Sequence, residues 1–209
     1  YVIEGWGASG LPSRRSAGTL FTNKTDERDQ MPRMHPVAAE DYTPEQKRIA
    51  DMISGQRKAP VRGPFGVLLH APEICEMFAN FVDLSLDEEK SRIPLRLKEL
   101  AIITVGRVYG SDYEWFIHAK RAVEFGIDAD AVEDMRHNRT PTFPNEDETM
   151  VYEVAKELAE TRRLSDANYK RAFDHFGKEA MVELAALVGF YHTVSVVLNV
   201  FEVEAPEGD

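Results

Sequence analysis

The 209-residue sequence predicts an all-α protein, a bundle of about eight helices. Three observations predict it. Helix-starting and helix-stopping residues punctuate the chain at short intervals, apolar residues between them recur at helical spacing, and no stretch alternates strictly enough to read as strands joined by hairpins.

The elements follow in order from residue 43. Thr43-Pro44 reads as an N-cap followed by proline in the first turn, with a helix to about Ser54 and Gly55 near its end. A loop follows over Lys58 to Gly66. Pro72 opens the next helix, with Ile74, Met77, Phe78 and Phe81 on one face. Pro94 and Gly110 bracket a helix with a broad apolar face that includes Leu97, Leu100, Ile103 and Val108. Asp112 caps a helix ending at Gly126, and Asp128 starts a short one ending near Asn138. Pro144 opens another, and Ser165 caps one ending at Gly177. The last helix, about Glu179 to Phe201, is apolar almost all round and is expected to be buried centrally.

Residues 1–35 are rich in Gly, Ser, Arg, Thr and Asp without periodicity, and read as an extended arm ahead of one helical domain over 36–209. An arm lying across a neighbouring subunit is one expectation for it. The formal net charge of -11 disfavours nucleic acid and anionic membranes as partners, although a few arginines can still reverse the field in one pocket. A single cysteine, Cys75, excludes a disulfide within the chain and a cysteine-rich metal site. The longest apolar run is interrupted by Glu183, His192 and Asn199 and is not expected to span a bilayer, and the first ten residues lack the pattern of a signal peptide. A cytoplasmic protein is the expectation.

The segment Ser111-Asp112-Tyr113-Glu114-Trp115-Phe116-Ile117-His118 carries the candidate chemistry. Glu114 and His118 are four apart, so they share a helix face, and Ser111 falls on the same face at the helix start, where backbone amides favour anions. Flanking apolar residues point to an enclosed helix in which a carboxylate and an imidazole serve as acid and base. The same spacing also suits a solvated ion pair. Metal binding is a third reading, although the Glu-x-x-His of di-iron bundles is absent. Glu99 lies roughly 16 Å before Gly110 and His118 roughly 12 Å after it, so an antiparallel hairpin brings them within about a turn of each other.

Three segments together resemble the carboxymuconolactone decarboxylase family, within the alkylhydroperoxidase D-like superfamily. They are Val61 to Pro72, then Arg96 to Ile102 running on through Gly106-Arg107 to Tyr113-Glu114-Trp115 and His118, and finally Gly189-Phe190-Tyr191-His192 with Asn199 downstream. The resemblance implies an alkylhydroperoxidase D-like bundle and a homotrimer or homohexamer. The peroxidase branch carries Cys-x-x-Cys-x-x-x-His. Here that frame reads Ser111-x-x-Glu114-x-x-x-His118, which removes both thiols that a thiol peroxidase needs and matches the decarboxylase-like branch.

What the resemblance implies is an acid–base lyase that needs no cofactor and no metal and acts on a small unsaturated carboxylic acid or lactone. The catalytic candidates are His118 as general acid, Glu114 tuning or relaying its proton, and Glu99 at the position of the peroxidase branch's relay glutamate. Arg62 and Arg107 are candidates for holding carboxylates of a small anionic substrate. His70, Ser111 and Tyr191 are candidates to line the pocket. The rival readings are a binding or assembly protein on the same fold, and a redox protein of the peroxidase branch.

Overall fold

The computed structural model describes residues 32–57 and 61–206; the expected arm therefore falls, up to residue 31, outside the described residues. Among the described residues the chain forms a 3-10 turn, Ala39–Asp41, and eight α-helices, with no strand. They are α1 (Pro44–Arg57), α2 (Pro64–Leu68), α3 (Pro72–Ser85), α4 (Leu95–Tyr109), α5 (Asp112–Glu124), α6 (Ala129–Arg136), α7 (Glu146–Thr161) and α8 (Asp166–Phe201).

Local chemistry sets most of the boundaries. Thr43 and Gln46 form a capping box: the Thr43 amide donates to Gln46 Oε1 at 2.9 Å and the Gln46 amide to Thr43 Oγ1 at 3.2 Å. Prolines 64 and 72 sit in the first turns of α2 and α3. Gly110, at φ 62°, ends α4 in the left-handed region. Asp128 caps α6 by accepting from the amides of Asp130 and Ala131. The two final expected helices run as one element, broken at Gly177, whose φ of 76° and ψ of 175° no helix contains. Four expectations shift: α1 runs past Gly55, Ser111 rather than Asp112 is the N-cap of α5, the expected loop up to Gly66 already contains the start of α2, and α7 begins at Glu146, after Pro144.

Helix α4 is the hub, packed against α5, α7 and α8. Leu97, Leu100, Ile102, Ile103 and Val105 are essentially inaccessible. Burial of such side chains contributes roughly 1.5–3 kcal/mol each. Charged groups join the same helix to its neighbours. Arg96 pairs with Asp147 and with Glu148, the latter at 2.7 Å, at the start of α7. Lys98 is wholly buried and donates to the Ser85 carbonyl at the end of α3, with Glu183 of α8 3.5 Å away. Burial is the main influence on that ammonium and pushes its pKa down, against the pull of Glu183.

Helix α8 departs from its expected central burial. Leu184, Leu187, Val188, Tyr191, Val194 and Leu198 face the core. Val182, Ala186, Gly189, Thr193, Val196 and Val200 are exposed, and their alternating steps of four and three residues place them on one uncharged stripe. Contrary to the expectation from its interruptions, one window of α8 is long and apolar enough to cross a bilayer by length and composition; 39% of it is buried in the protein. Both departures have one cause: a helix with two apolar faces has only one taken up by the core.

Candidate active site

The α4–α5 hairpin builds the site. Gly110 reverses the chain, and the Ser111 amide donates to the Gly106 carbonyl at 2.9 Å, which ties the start of α5 to the end of α4. At Gly106 a Cβ would lie 3.0 Å from the Glu114 Cβ. The two helices therefore approach closely, and Glu114 is pressed inward beside α4. One turn later His118 follows on the same face.

The antiparallel pairing brings Glu99 of α4 to His118. His118 Nδ1 donates to Glu99 Oε2 at 2.6 Å. The other ring nitrogen, Nε2, faces Glu114 Oε2 at 3.4 Å. The second oxygen of Glu99 is held by Arg121 Nη2 at 2.9 Å. The result is a line of groups, Arg121, Glu99, His118 and Glu114, in which Glu99 is completely buried and Glu114 and His118 are 3% and 7% exposed. The Tyr191 ring packs edge-on against the His118 imidazole, with centroids 5.6 Å apart, and restricts its rotation.

Glu114, His118, Arg121 and Tyr191 open onto a cavity of about 420 Å³. Its remaining wall includes Arg62 and Tyr113 on one side and Phe65, Phe78, Val82 and Phe190 from α2, α3 and α8. Burial raises the Glu114 pKa above its ordinary value of 4.5; His118 opposes that rise and the Glu99 charge adds to it. The Tyr113 phenol is likewise pushed up by burial, with Arg62 pulling the other way. Glu114 Oε2 is buried and has no hydrogen-bond partner, so it is poised for something in the cavity.

The raised Glu114 pKa has a consequence for stability. The folded chain holds this proton more tightly than the unfolded one, so the group's stabilising contribution is complete below pH 4.5 and is lost as pH rises through the folded value. Glu114→Gln removes that loss. Relative to wild type, the variant is expected to gain stability as pH rises above 4.5 in urea melts followed by circular dichroism. A difference that stays flat or runs the other way contradicts the raised value.

Of the residues expected from sequence, Glu99, Glu114, His118, Arg62 and Tyr191 come together here, with Glu99 behind His118 rather than at the cavity wall. Three do not line the cavity. Arg107 faces α6 instead: its Nε donates to the Met135 carbonyl at 3.1 Å, so it caps a helix end. His70 is exposed and its Nε2 donates to the His35 carbonyl at 2.9 Å. Ser111 is buried at the hairpin, its Oγ without a hydrogen bond, and serves as the α5 N-cap position. Arg121 was not anticipated, although its position three residues after His118 continues the same helix face. Cys75 is buried and not part of the wall, and among the described residues no cluster of three or more His, Cys, Asp or Glu is arranged to hold a metal ion.

Comparison with known proteins agrees with this geometry at the level of family and fold. The carboxymuconolactone decarboxylase family matches residues 72–157, which include Glu99, Glu114, His118 and Arg121. Among solved structures, the apo form of the debrominase Bmp8 superposes with a TM-score of 0.66 at 14% identity, covering 83% of this chain and 91% of that one. A cysteine-to-alanine variant of the debrominase, in complex with 2,3,4-tribromopyrrole, superposes equally well. At that identity the likeness establishes the fold. No curated protein matches the sequence. Residues 72–157 of this chain thus match the carboxymuconolactone decarboxylase family, and the chain shares its helical fold with that debrominase.

Proposed function

We propose that this protein is a cofactor-independent acid–base lyase acting on an unsaturated carboxylic acid or lactone. One observation carries the reading: an imidazole clamped through Nδ1 by a buried carboxylate, with a second buried carboxyl group, its pKa raised, beside Nε2 at the wall of a cavity. An imidazole oriented in this way by a carboxylate is the arrangement in which general acid–base catalysis works best.

We assign the work differently from the sequence reading. Glu99, not Glu114, orients His118, because Glu99 makes the 2.6 Å contact to Nδ1. Glu114 is then the proton carrier: burial favours its neutral form, and it lies within reach of His118 Nε2. In a decarboxylation the bond between the carboxylate and its carbon breaks and carbon dioxide leaves. The electron pair moves into the conjugated carbonyl, and the protonated side chain at Nε2 or Glu114 returns one proton to carbon. Donors aimed at the developing enolate supply the main stabilisation. The same groups also serve isomerisation or elimination, which need one proton removed and one returned.

The thiol-peroxidase reading has little support, since Ser111 and Glu114 occupy the frame's cysteine positions and Cys75 does not line the cavity. A ring-shaped unsaturated ligand does have precedent on this fold, in the debrominase complex with 2,3,4-tribromopyrrole.

The test is turnover of 4-carboxymuconolactone and a panel of unsaturated and aromatic acids in deuterium oxide, followed by NMR. The expected result is carbon dioxide release, or double-bond migration, with one deuterium incorporated at the carbon that changes. A panel that passes through unchanged and unlabelled removes the lyase reading.

A further inference from the structure

The composition of the cavity wall narrows the ligand beyond this reading of the site, on which the inference rests. Away from the titratable groups the wall is apolar, and its aromatic part is rigid. Phe190 is stacked on Phe81, with centroids 4.3 Å apart and planes 20° from parallel, and is tilted against Phe78 at 5.0 Å. Phe190, Phe78 and Phe65 thus offer a fixed phenyl surface to the cavity. A cavity of roughly 150 Å³ suffices for benzene. The volume here, about 420 Å³, leaves room for a ring and a conjugated side chain.

The charges set a second limit. The cavity region holds two arginines, Arg62 and Arg121, and two carboxylates that balance them, Asp83 on the α3 wall and Glu99 behind His118. Glu114 adds a third carboxyl group to the same region. One substrate carboxylate is met by Arg121; a second has no surplus of positive charge to meet it, and an unbalanced buried charge is strongly disfavoured. Arg121 is the anchor at hand. Its Nη2 is engaged by Glu99, its side chain is 34% exposed, and it lines the cavity beside His118, so other N–H donors of its guanidinium face a ligand.

We infer that the cavity selects an aromatic or extended conjugated monocarboxylic acid, its carboxylate at Arg121 and its ring on the phenyl wall, rather than a compact dicarboxylate. In that pose the unpartnered Glu114 oxygen faces the conjugated system of the ligand, where a proton is to be delivered.

Titration calorimetry on the full chain tests this with three probes: trans-cinnamate, its neutral amide cinnamamide, and cis,cis-muconate. Wild type is expected to bind cinnamate at least about tenfold more tightly than either of the others, the worth of one charge-assisted contact. Arg121→Gln is expected to bind cinnamate and cinnamamide alike while keeping its far-ultraviolet circular dichroism. Equal wild-type affinity for cinnamate and cinnamamide, tighter binding of muconate, or no cinnamate binding at millimolar concentration overturns the inference, and these comparisons need no variant to fold. Because they read binding alone, they separate the two proposals. Selective cinnamate binding with no turnover of any acid ends the lyase reading and leaves this one standing. Turnover of dicarboxylates with no binding of cinnamate does the reverse.

Discussion

Substituting alanine for His118 is expected to lower turnover of any substrate of this protein by roughly 10²- to 10⁴-fold, the usual contribution of a positioned acid–base group. The imidazole is the one group in contact with both carboxylates, 2.6 Å from Glu99 and 3.4 Å from Glu114. Without it, Glu99 no longer connects to Glu114, and Glu114 loses the imidazole with which it would exchange a proton. The fold should survive, since Glu99 keeps its 2.9 Å pairing with Arg121. Glu99→Gln is expected to cost less than His118→Ala, because it loosens the imidazole without removing it. The double variant should be no slower than His118→Ala alone, as befits residues that act as one unit. Steady-state kinetics with circular dichroism as the folding control measures both. Turnover within about threefold of wild type in His118→Ala, against the range expected for such groups, would place the chemistry elsewhere.

The second large effect is structural and concerns Gly63. Its φ of 59° and ψ of -136° lie where residues with a Cβ are strained, and a Cβ there would fall 2.1 Å from the Tyr113 hydroxyl oxygen. Tyr113 is itself buried and forms part of the cavity wall. Gly63→Ala therefore combines backbone strain of about 1–3 kcal/mol with displacement of a buried aromatic ring. The expected total is about 3 kcal/mol or more, a fall in melting temperature of roughly 6–12 °C for a chain of this size. Tyr113→Ala in the same chain should relieve the steric part, so that the double variant is less destabilised than the sum of the two single ones. Strict additivity in thermal melts would show that backbone strain alone is responsible.

Much of the site could be read from residues close together in sequence. Glu114 and His118 are one turn apart on any helix; the aromatic residues between them did not enclose that helix, since Phe116 is 40% exposed, and the burial of the pair comes from its packing against α4. The start of α2 was hidden because a five-residue helix offers too little periodicity to separate it from the Pro- and Gly-containing loop in which it lies. Arg107 and Arg121 are both cations in the last turn of a helix. Only the packing of α6 against α4 and α5 takes Arg107 to the Met135 carbonyl and leaves Arg121 at the cavity. Lys98 gave no sign of burial, because its partners, Ser85 of α3 and Glu183 of α8, lie on other helices.

The sequence by itself determined most of the helix starts and stops, the spacing of Glu114 and His118, and the absence of the paired thiols, since caps, turns and i,i+4 neighbours depend on interactions within one turn of chain. Tertiary structure alone decided that Glu99 rather than Glu114 clamps the imidazole, that Arg121 joins them, and that α8 buries one apolar face and exposes the other. Each residue turns a helix by about 100°. Which side chains meet across two helices therefore depends on their relative rotation and height, and these are set by the packing of the whole bundle.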